Sequence, residues 1–449
     1  MYRILPEHLK ILAGECPYPL YVVGGGVRDF LAGLESRDSD TDICAPADPT
    51  DFARRAERAG FTVQSEYKNT GTVKIAYGRE SYEFASFRSD EYVRGCHSPV
   101  RTFFTDDINL DARRRDFKCN AVYYDIKNRV FADPLGGVGD IERRKLSTVA
   151  EPEKVFGEDG LRLMRLARIA AQTGFTPEQN CLKGAAANAI LIRDVSPERI
   201  FAELNLILQA DGKYGVRNGQ YAGLEILDKT RVLDFILPEL AAGRGMEQNK
   251  AFHRFDVLEH SLRCAACADP KVRLAALLHD AGKPYAMNTS GSFIGHETEG
   301  ARIVADILGR LKAPKKVIAE TAELVRLHMY DFRGDAKENK VRKFILKNIN
   351  LFDKLMLLKQ ADYSALAGET GKSFIVEKFE RIYRQMQKEG VPFSLKELNI
   401  KGGDLIAAGF APEKVGQVLE SLQADCALKS VVNERGELLK RAVKVYLTM

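Results

Sequence analysis

Two aspartates one residue apart, Asp40 and Asp42, follow a Gly24-Gly25-Gly26 turn within the stretch Tyr21 to Ala45. On a strand such residues share a face, so the two carboxylates converge. Carboxylate oxygens completed by waters and substrate phosphates are the ligands that Mg2+ prefers. The turn precedes a short helix opening at Val27-Arg28-Asp29, and its backbone N–H groups suit phosphate oxygens. Gly25, Gly26 and Arg28 are therefore candidate nucleotide contacts. Glu83, in the strand-like YEFASFR, is placed to be a third carboxylate. Carboxylates and glycines in one unit point to metal-assisted nucleotidyl transfer. A tight turn with a solvated acidic edge strand is the alternative.

Further along, Asp111-Ala112-Arg113-Arg114-Arg115-Asp116 with Asn120 puts planar cationic forks just before another strand. Arginine binds phosphate oxygens bidentately, although solvated surface charge has the same composition. The polar stretch between Arg88 and Asp116 is long for a plain connection and is expected to be a loop over the site. Glu158-Asp159-Gly160-Leu161-Arg162 is expected to open an apolar helix with Asp159 and Arg162 on one face. A carboxylate beside a guanidinium accepts from the exocyclic amine of cytosine or adenine and donates to the adjacent ring nitrogen. Guanine and uracil have the opposite polarity and would leave buried groups unpaired. An acidic first turn with an i,i+3 ion pair is the plainer reading of the same residues.

A second cluster lies downstream. Histidine is scarce, seven residues in all, yet His260, His279, His296 and His328 fall in one helical region with Asp280 and Asp362. His279-Asp280 ends an apolar helix and is followed by Ala-Gly-Lys-Pro. The set suits one or two divalent metals, with Lys283 available to steady a phosphate ester; scattered core histidines are the alternative.

The elements that must position these groups divide the 449 residues into several domains. Residues 1–145 mix strands (21–23, 40–42, 73–78, 81–87, 120–126, 129–134) with a helix over 50–60 and should form a small α/β domain with one mixed sheet. Almost everything after Lys145 has helical apolar periodicity, as in 161–175. Glycine-bearing breaks are expected near 212–223, 242–245, 289–295, 368–371 and 402–403. The net charge of +5 is a mild bias towards a polyanionic partner. No apolar run reaches the ~18 to 20 residues that span a bilayer, and the N-terminus lacks a signal-peptide core, so a cytoplasmic location is expected. The eight cysteines should be free thiols, including the helical Cys264-x-x-Cys267.

Gly24-Gly25-Gly26-Val27-Arg28-Asp29, Asp40-x-Asp42, Arg114-Arg115-Asp116-Phe117 with Asn120-Ala121, Glu158-Asp159-x-x-Arg162-x-x-Arg165-x-x-Arg168 and Glu198-Arg199-Ile200-x-x-Glu203 resemble, in order and spacing, class II tRNA nucleotidyltransferases and related bacterial poly(A) polymerases. The histidine series resembles the HD phosphohydrolases. These resemblances imply an α+β chain: a polymerase-β-like head (1–145), a neck (146–205), a body (206–255), a helical HD domain (256–365) and a body and tail (366–449) that contacts tRNA. They imply that Asp40 and Asp42 bind Mg2+ and that Glu83 joins them. Arg114, Asp116 and Asn120 would contact the ribose and triphosphate, Asp159 and Arg162 would read the base, and Arg165 and Arg168 would also serve nucleotide binding. The HD ligands would hold unidentified divalent metal. Ser39 and Ala112 depart from the residues usual at those positions.

The expected activity is template-independent addition of CCA to tRNA 3′ ends from CTP and ATP, with phosphohydrolase activity in the HD domain. An enzyme adding only A in a split CC/A system, or a signalling hydrolase with a nucleotide-sensing head, are the alternatives. An enzyme adding only CC is disfavoured by the length of segment 89–110, and a poly(A) polymerase by the HD domain. The oligomeric state is not legible.

Overall fold

A computed structural model of the chain describes residues 5–34, 41–92, 100–248, 254–366 and 371–448. The chain separates into two compact units, Met1–Ala242 with Ile307–Ala313, and Gly243–Asp306 with Pro314–Met449. No helix among the described residues is long and apolar enough to cross a membrane.

The first unit is built on a mixed sheet of β1 (Tyr21–Val23), β2 (Thr41–Ala45), β3 (Thr62–Tyr67), β4 (Thr72–Tyr77), β5 (Glu80–Ser86), β8 (Tyr123–Asp125) and β9 (Phe131–Ala132). Their order is β3-β4-β5-β2-β1-β8-β9. β2 and β5 run parallel, with Asp42 beside Glu83 and Ile43 beside Phe84. Period-2 alternation explains which residue goes where. Tyr82 and Phe84 are buried while Glu83 between them is exposed. Phe84 stacks on Phe52 of the helix Pro49–Arg58, ring centroids 3.6 Å apart. That helix begins where Asp48 accepts the N–H groups of Thr50 and Asp51 and Pro49 takes the first position. On the opposite face Cys44 joins Val23, Tyr123, Ala112 and Val155 in a core cluster.

Several expectations are corrected. The polar stretch after Arg88 is not only a loop. β6 (Arg88–Glu91) pairs antiparallel with β7 (Arg101–Phe104), and the helix Ile108–Arg113 follows; the intervening 93–99 lie outside the described residues. The strand expected over 120–126 is shortened to β8, because Lys118–Asn120 turn as a 3-10 helix. The expected break at 212–223 contains most of the short helix Asp211–Tyr214 and the start of the helix Gly219–Lys229. Gly223 allows close helix packing there: an added Cβ would lie 2.7 Å from Ile207 and 2.9 Å from Ala171. The 368–371 break falls almost wholly on residues that are not described.

The second unit is helical. One cluster gathers Cys264, Ala276, Leu324, Ile345, Leu355 and Phe379, among others, and a smaller one gathers Leu405, Phe410, Val418, Leu422 and Leu438. Cys264 is buried, Cys267 is exposed, and both are free.

Candidate active site and metal centre

A cavity of about 270 Å3 in the first unit is lined by Gly24, Gly25 and Asp42, by Arg88, Asp90 and Tyr92, by Arg114, Arg115, Asp116 and Asn120, and by Asp159, Leu161, Arg162, Arg165 and Arg199. Six segments of the sequence meet here. β1 ends at Val23, and Gly24 turns into the helix Gly25–Leu31 with φ +82°. A Cβ at Gly24 would stand 3.2 Å from the Asp42 carboxylate, so the glycine serves both conformation and close approach. Asp40 lies outside the described residues. Asp42 and Glu83 are neighbouring exposed carboxylates on adjacent strands. These hard oxygen donors fit Mg2+.

The arginines are held by buried carboxylates. Asp111 is fully buried and accepts from Arg114 Nε at 2.7 Å, Arg115 Nη2 at 2.9 Å and the Tyr123 hydroxyl at 2.7 Å. Burial alone would raise its pKa, but Arg115, Arg114 and Tyr123 outweigh that and pull it down to about 2. Asp116 accepts from Arg165 Nε at 2.8 Å, from Asn120 Nδ2 at 3.0 Å and from the Phe117 N–H at 2.8 Å. Those donors overcome burial and hold its carboxyl well below the usual range. Arg88 is depressed by burial and by Arg114 beside it. Guanidinium groups crowded this closely favour an anionic ligand.

The sequence-expected pair at 159 and 162 is present with different geometry. The helix Pro152–Glu158 ends before Asp159, which is extended (φ −146°, ψ 111°), and the next helix begins at Leu161. Asp159 is therefore not on a helical face with Arg162. Its Oδ1 accepts the Leu161 N–H at 2.9 Å. The ion pair of Arg162 is with Glu158, at 2.7 Å. Its guanidinium also donates to the carbonyls of Val155 at 2.9 Å and Arg114 at 2.7 Å. The Tyr92 ring lies 5.6 Å from it. Packing leaves room only for glycine at 160: a Cβ there would be 2.5 Å from the Leu191 carbonyl oxygen.

Three expected contacts stand back from the cavity lining, namely Gly26, Arg28 and Arg168. Arg28 is buried, donating to Asp29 and Asn120. Arg168 donates to Glu203 at 2.6 Å. Conversely, Arg88, Asp90, Tyr92 and Arg199 line the cavity without having been expected to. Arg199 belongs to a quoted motif, and the other three are signalled only by their place in a polar stretch.

The second unit brings all six expected metal ligands together. His260 comes from the helix Val257–Cys267 and Asp362 from the helix Phe352–Ala365. His279 and Asp280 follow the helix Arg273–Leu278, His296 starts the helix His296–Arg310, and His328 caps the helix Lys315–Leu327. His260 Nε2 is 2.9 Å from Asp362, His279 Nε2 is 3.2 Å from Asp280, and His296 Nε2 is 3.3 Å from Asp280. His260, His279 and Asp362 form one triad with ligand atoms within 4.8 Å, and His279, Asp280 and His328 form another.

The donor set fits a cation. Nδ1 of His279, His296 and His328 meets the carbonyl of Ala276 (2.8 Å), Phe293 (2.7 Å) and Val325 (2.6 Å). Each carbonyl accepts the Nδ1 proton, so a neutral ring keeps its lone pair on Nε2, directed inward. His296 and His328 then oppose Nε2 to Nε2 at 3.3 Å, a repulsion that a shared cation relieves. Burial, with His279 and His296 nearby, pushes His328 down to about 3. His279 is raised despite burial because it faces Asp280. Lys283 Nζ is 2.7 Å from Asp280 and 2.7 Å from Gln248, so its charge is already neutralised inside the site.

The family description "Poly A polymerase head domain" matches residues 20–147, "Probable RNA and SrmB-binding site of polymerase A" matches 174–243, and "HD domain" matches 257–366. The A-adding tRNA nucleotidyltransferase of Deinococcus radiodurans is 32% identical over 445 residues, covering 92% of this chain and 93% of that protein. The CCA-adding enzyme of Lactobacillus johnsonii is 32% identical over 240 residues, 53% of this chain and 56% of that one. The CC-adding tRNA nucleotidyltransferase of Thermus thermophilus is 28% identical, over 82% of this chain and 81% of that one. The solved CCA-adding enzyme of Bacillus stearothermophilus with CTP shares the fold, with a TM-score of 0.69 at 23% identity and coverage of 98% of this chain and 97% of that one. A nucleotidyltransferase carrying an HD domain is the class that fold, site and matches define. The chain belongs to the tRNA nucleotidyltransferase family.

Proposed function

We propose that this enzyme completes CCA at tRNA 3′ ends from CTP and ATP without a nucleic-acid template. The observation that carries the reading is one cavity shared by Asp42, the arginines anchored on Asp111 and Asp116, and the Asp159/Arg162 pair. Asp42 with Asp40 and Glu83 would hold Mg2+, which when bound activates the primer hydroxyl and supports the leaving pyrophosphate. Arg114, Asp116 and Asn120 orient the ribose and triphosphate, with Arg165 holding Asp116 ionised. Arg162 uses three of its five N–H donors on protein acceptors. Two remain for a ring nitrogen, while the second oxygen of Asp159 accepts an exocyclic amine. Cytosine and adenine satisfy that pattern, and guanine and uracil oppose it.

Addition of the terminal A alone is a second reading, favoured by the near full-length likeness to the Deinococcus enzyme. Purified protein incubated with tRNA ending before CCA, tRNA ending in CC, and each nucleotide separately decides between them. Incorporation of CTP on the first substrate supports full CCA addition. AMP transfer only to the CC end supports the second reading, and no transfer to either leaves a nucleotide-sensing head.

The six ligands of the second unit would hold one or two divalent metals that supply activated water for hydrolysis of a phosphate ester, such as a phosphate or cyclic phosphate at an RNA 3′ end. Asp280 also fixes the neighbouring imidazoles and Lys283. Loss of phosphatase activity in Asp280→Ala, with nucleotide transfer intact, is the expected result. Equal hydrolysis by both proteins would refute the assignment.

A further inference from the structure

The nucleotide cavity is tied to a tyrosine that does not line it. Tyr214 ends the short helix Asp211–Tyr214, within the segment matched as RNA-binding. Its hydroxyl donates to Asp29 Oδ2. Asp29 Oδ1 accepts Arg28 Nε at 2.8 Å and Nη2 at 2.6 Å. Arg28 Nη1 donates to Asn120 Oδ1 at 2.8 Å, Asn120 Nδ2 donates to Asp116 Oδ1 at 3.0 Å, and Arg165 Nε donates to Asp116 Oδ2 at 2.8 Å. Asp29, Arg28, Asn120 and Asp116 are each at most 6% exposed. Water therefore has little access to substitute for a missing link.

We propose that Tyr214 is a positioning residue for the incoming nucleotide, acting through this chain on Asn120, Asp116 and Arg165. The inference rests on the nucleotide-cavity reading above. The polarity of the chain is what makes it directional. Arg28 can only donate, so Asn120 must turn its oxygen towards it and its amide NH2 towards Asp116. That amide and the Phe117 N–H occupy Oδ1 of Asp116, which leaves Oδ2 for Arg165 on the cavity wall. Asp29 orients Arg28 with one oxygen and is itself held at the other by Tyr214. Without the hydroxyl, Asp29 Oδ2 loses its donor in a buried setting, and the carboxylate can rotate with Arg28 attached. The amide of Asn120 then loses its fixed orientation. The segment matched as RNA-binding is thereby mechanically connected to the groups proposed to hold the triphosphate.

Tyr214→Phe keeps the ring and removes only the donor. Steady-state nucleotide transfer should show KM for the nucleotide rising about tenfold, equivalent to about 1.4 kcal/mol, with kcat and the tRNA KM within about twofold. A thermal melt run in parallel checks that the variant is folded. The decisive measurement is a double-mutant cycle. Tyr214→Phe should add little to the KM defect of Asn120→Ala, because the chain is already cut, yet should multiply the defect of Arg162→Ala, which lies outside it. An unchanged nucleotide KM in Tyr214→Phe, or multiplication with both partners, overturns the proposal. If Asn120→Ala and Arg165→Ala themselves leave nucleotide KM unchanged, the cavity reading fails first and takes the proposal with it.

Discussion

Asp111→Asn is the substitution whose cost can be worked most directly from the geometry. The side chain of Asp111 is fully buried and is the common acceptor for Arg114, Arg115 and the Tyr123 hydroxyl. Its pKa falls from 3.8 to about 2, burial being outweighed by the two arginines and the hydroxyl. At 1.36 kcal/mol per pKa unit that gap stabilises the folded state by about 2 kcal/mol at neutral pH. Because the folded pKa is depressed, this contribution is complete above the unfolded value and is lost as pH falls from about 4 towards 2; about half of it remains at pH 3. The asparagine variant lacks the contribution at every pH and leaves Arg114 and Arg115 without their carboxylate. A loss of about 3 kcal/mol at pH 7 is expected, the lower end for a broken buried pair. Labelling of the buried Cys44 and Cys119 by a pyridyl disulfide during urea unfolding, located by peptide mass mapping to separate them from Cys264, Cys267 and Cys426, reports the first unit apart from the second. The difference between wild type and variant should shrink by about 1 kcal/mol between pH 7 and pH 3. A difference that is constant with pH, or below about 0.5 kcal/mol at pH 7, would refute the account of Asp111 as an ionised anchor.

Gly24→Ala places a Cβ at φ +82° and 3.2 Å from the Asp42 carboxylate; a stability loss of about 1 to 2 kcal/mol and a fall in kcat for nucleotide transfer are expected, by thermal melting and primer extension. Glu83→Gln should lower kcat and raise the Mg2+ concentration needed for half-maximal activity, with nucleotide KM little changed, and an unaltered Mg2+ titration would remove Glu83 from the carboxylate set. Removal of divalent metal by a chelator should abolish phosphatase activity, and calorimetric metal titration of the stripped protein should release protons, because Asp280 raises the pKa of His279 in the absence of a cation. Metal binding without proton release would contradict that effect of Asp280.

The strand carrying Glu83 was legible because period-2 alternation of apolar and polar residues survives in any fold that buries one face; the strand carrying Asp42 buries Ile43, Cys44 and Ala45 in succession and was legible from its aspartates after the glycine turn. The clustering of the six candidate ligands in the second unit was legible for a different reason: histidines are scarce in this chain, so their concentration in one region stands out. The ribbon of β6 and β7 was not, because β6 is Arg-Ser-Asp-Glu with no apolar residue and its partner, which ends in Phe103-Phe104, begins ten positions further on across residues with no strand pattern. The break between Glu158 and Leu161 was missed because Asp159 and Gly160 are each compatible with a helix start. It is the Leu191 carbonyl, at 2.5 Å from a Cβ on Gly160, that excludes any larger residue there.

By itself the sequence determined the division into an α/β part and a helical part, the order of the nucleotidyltransferase motifs and the side chains proposed as metal ligands. These properties depend on local periodicity and on residue type, which the chain carries wherever it folds. Only tertiary structure decided that Arg28 faces inward to Asp29 and Asn120, that Asp111 is the shared anchor of two arginines, and that Tyr214 reaches Asp29 from 185 positions away. A buried charge has to find an opposite charge or a donor. Which one it finds depends on contacts that no spacing in the sequence records.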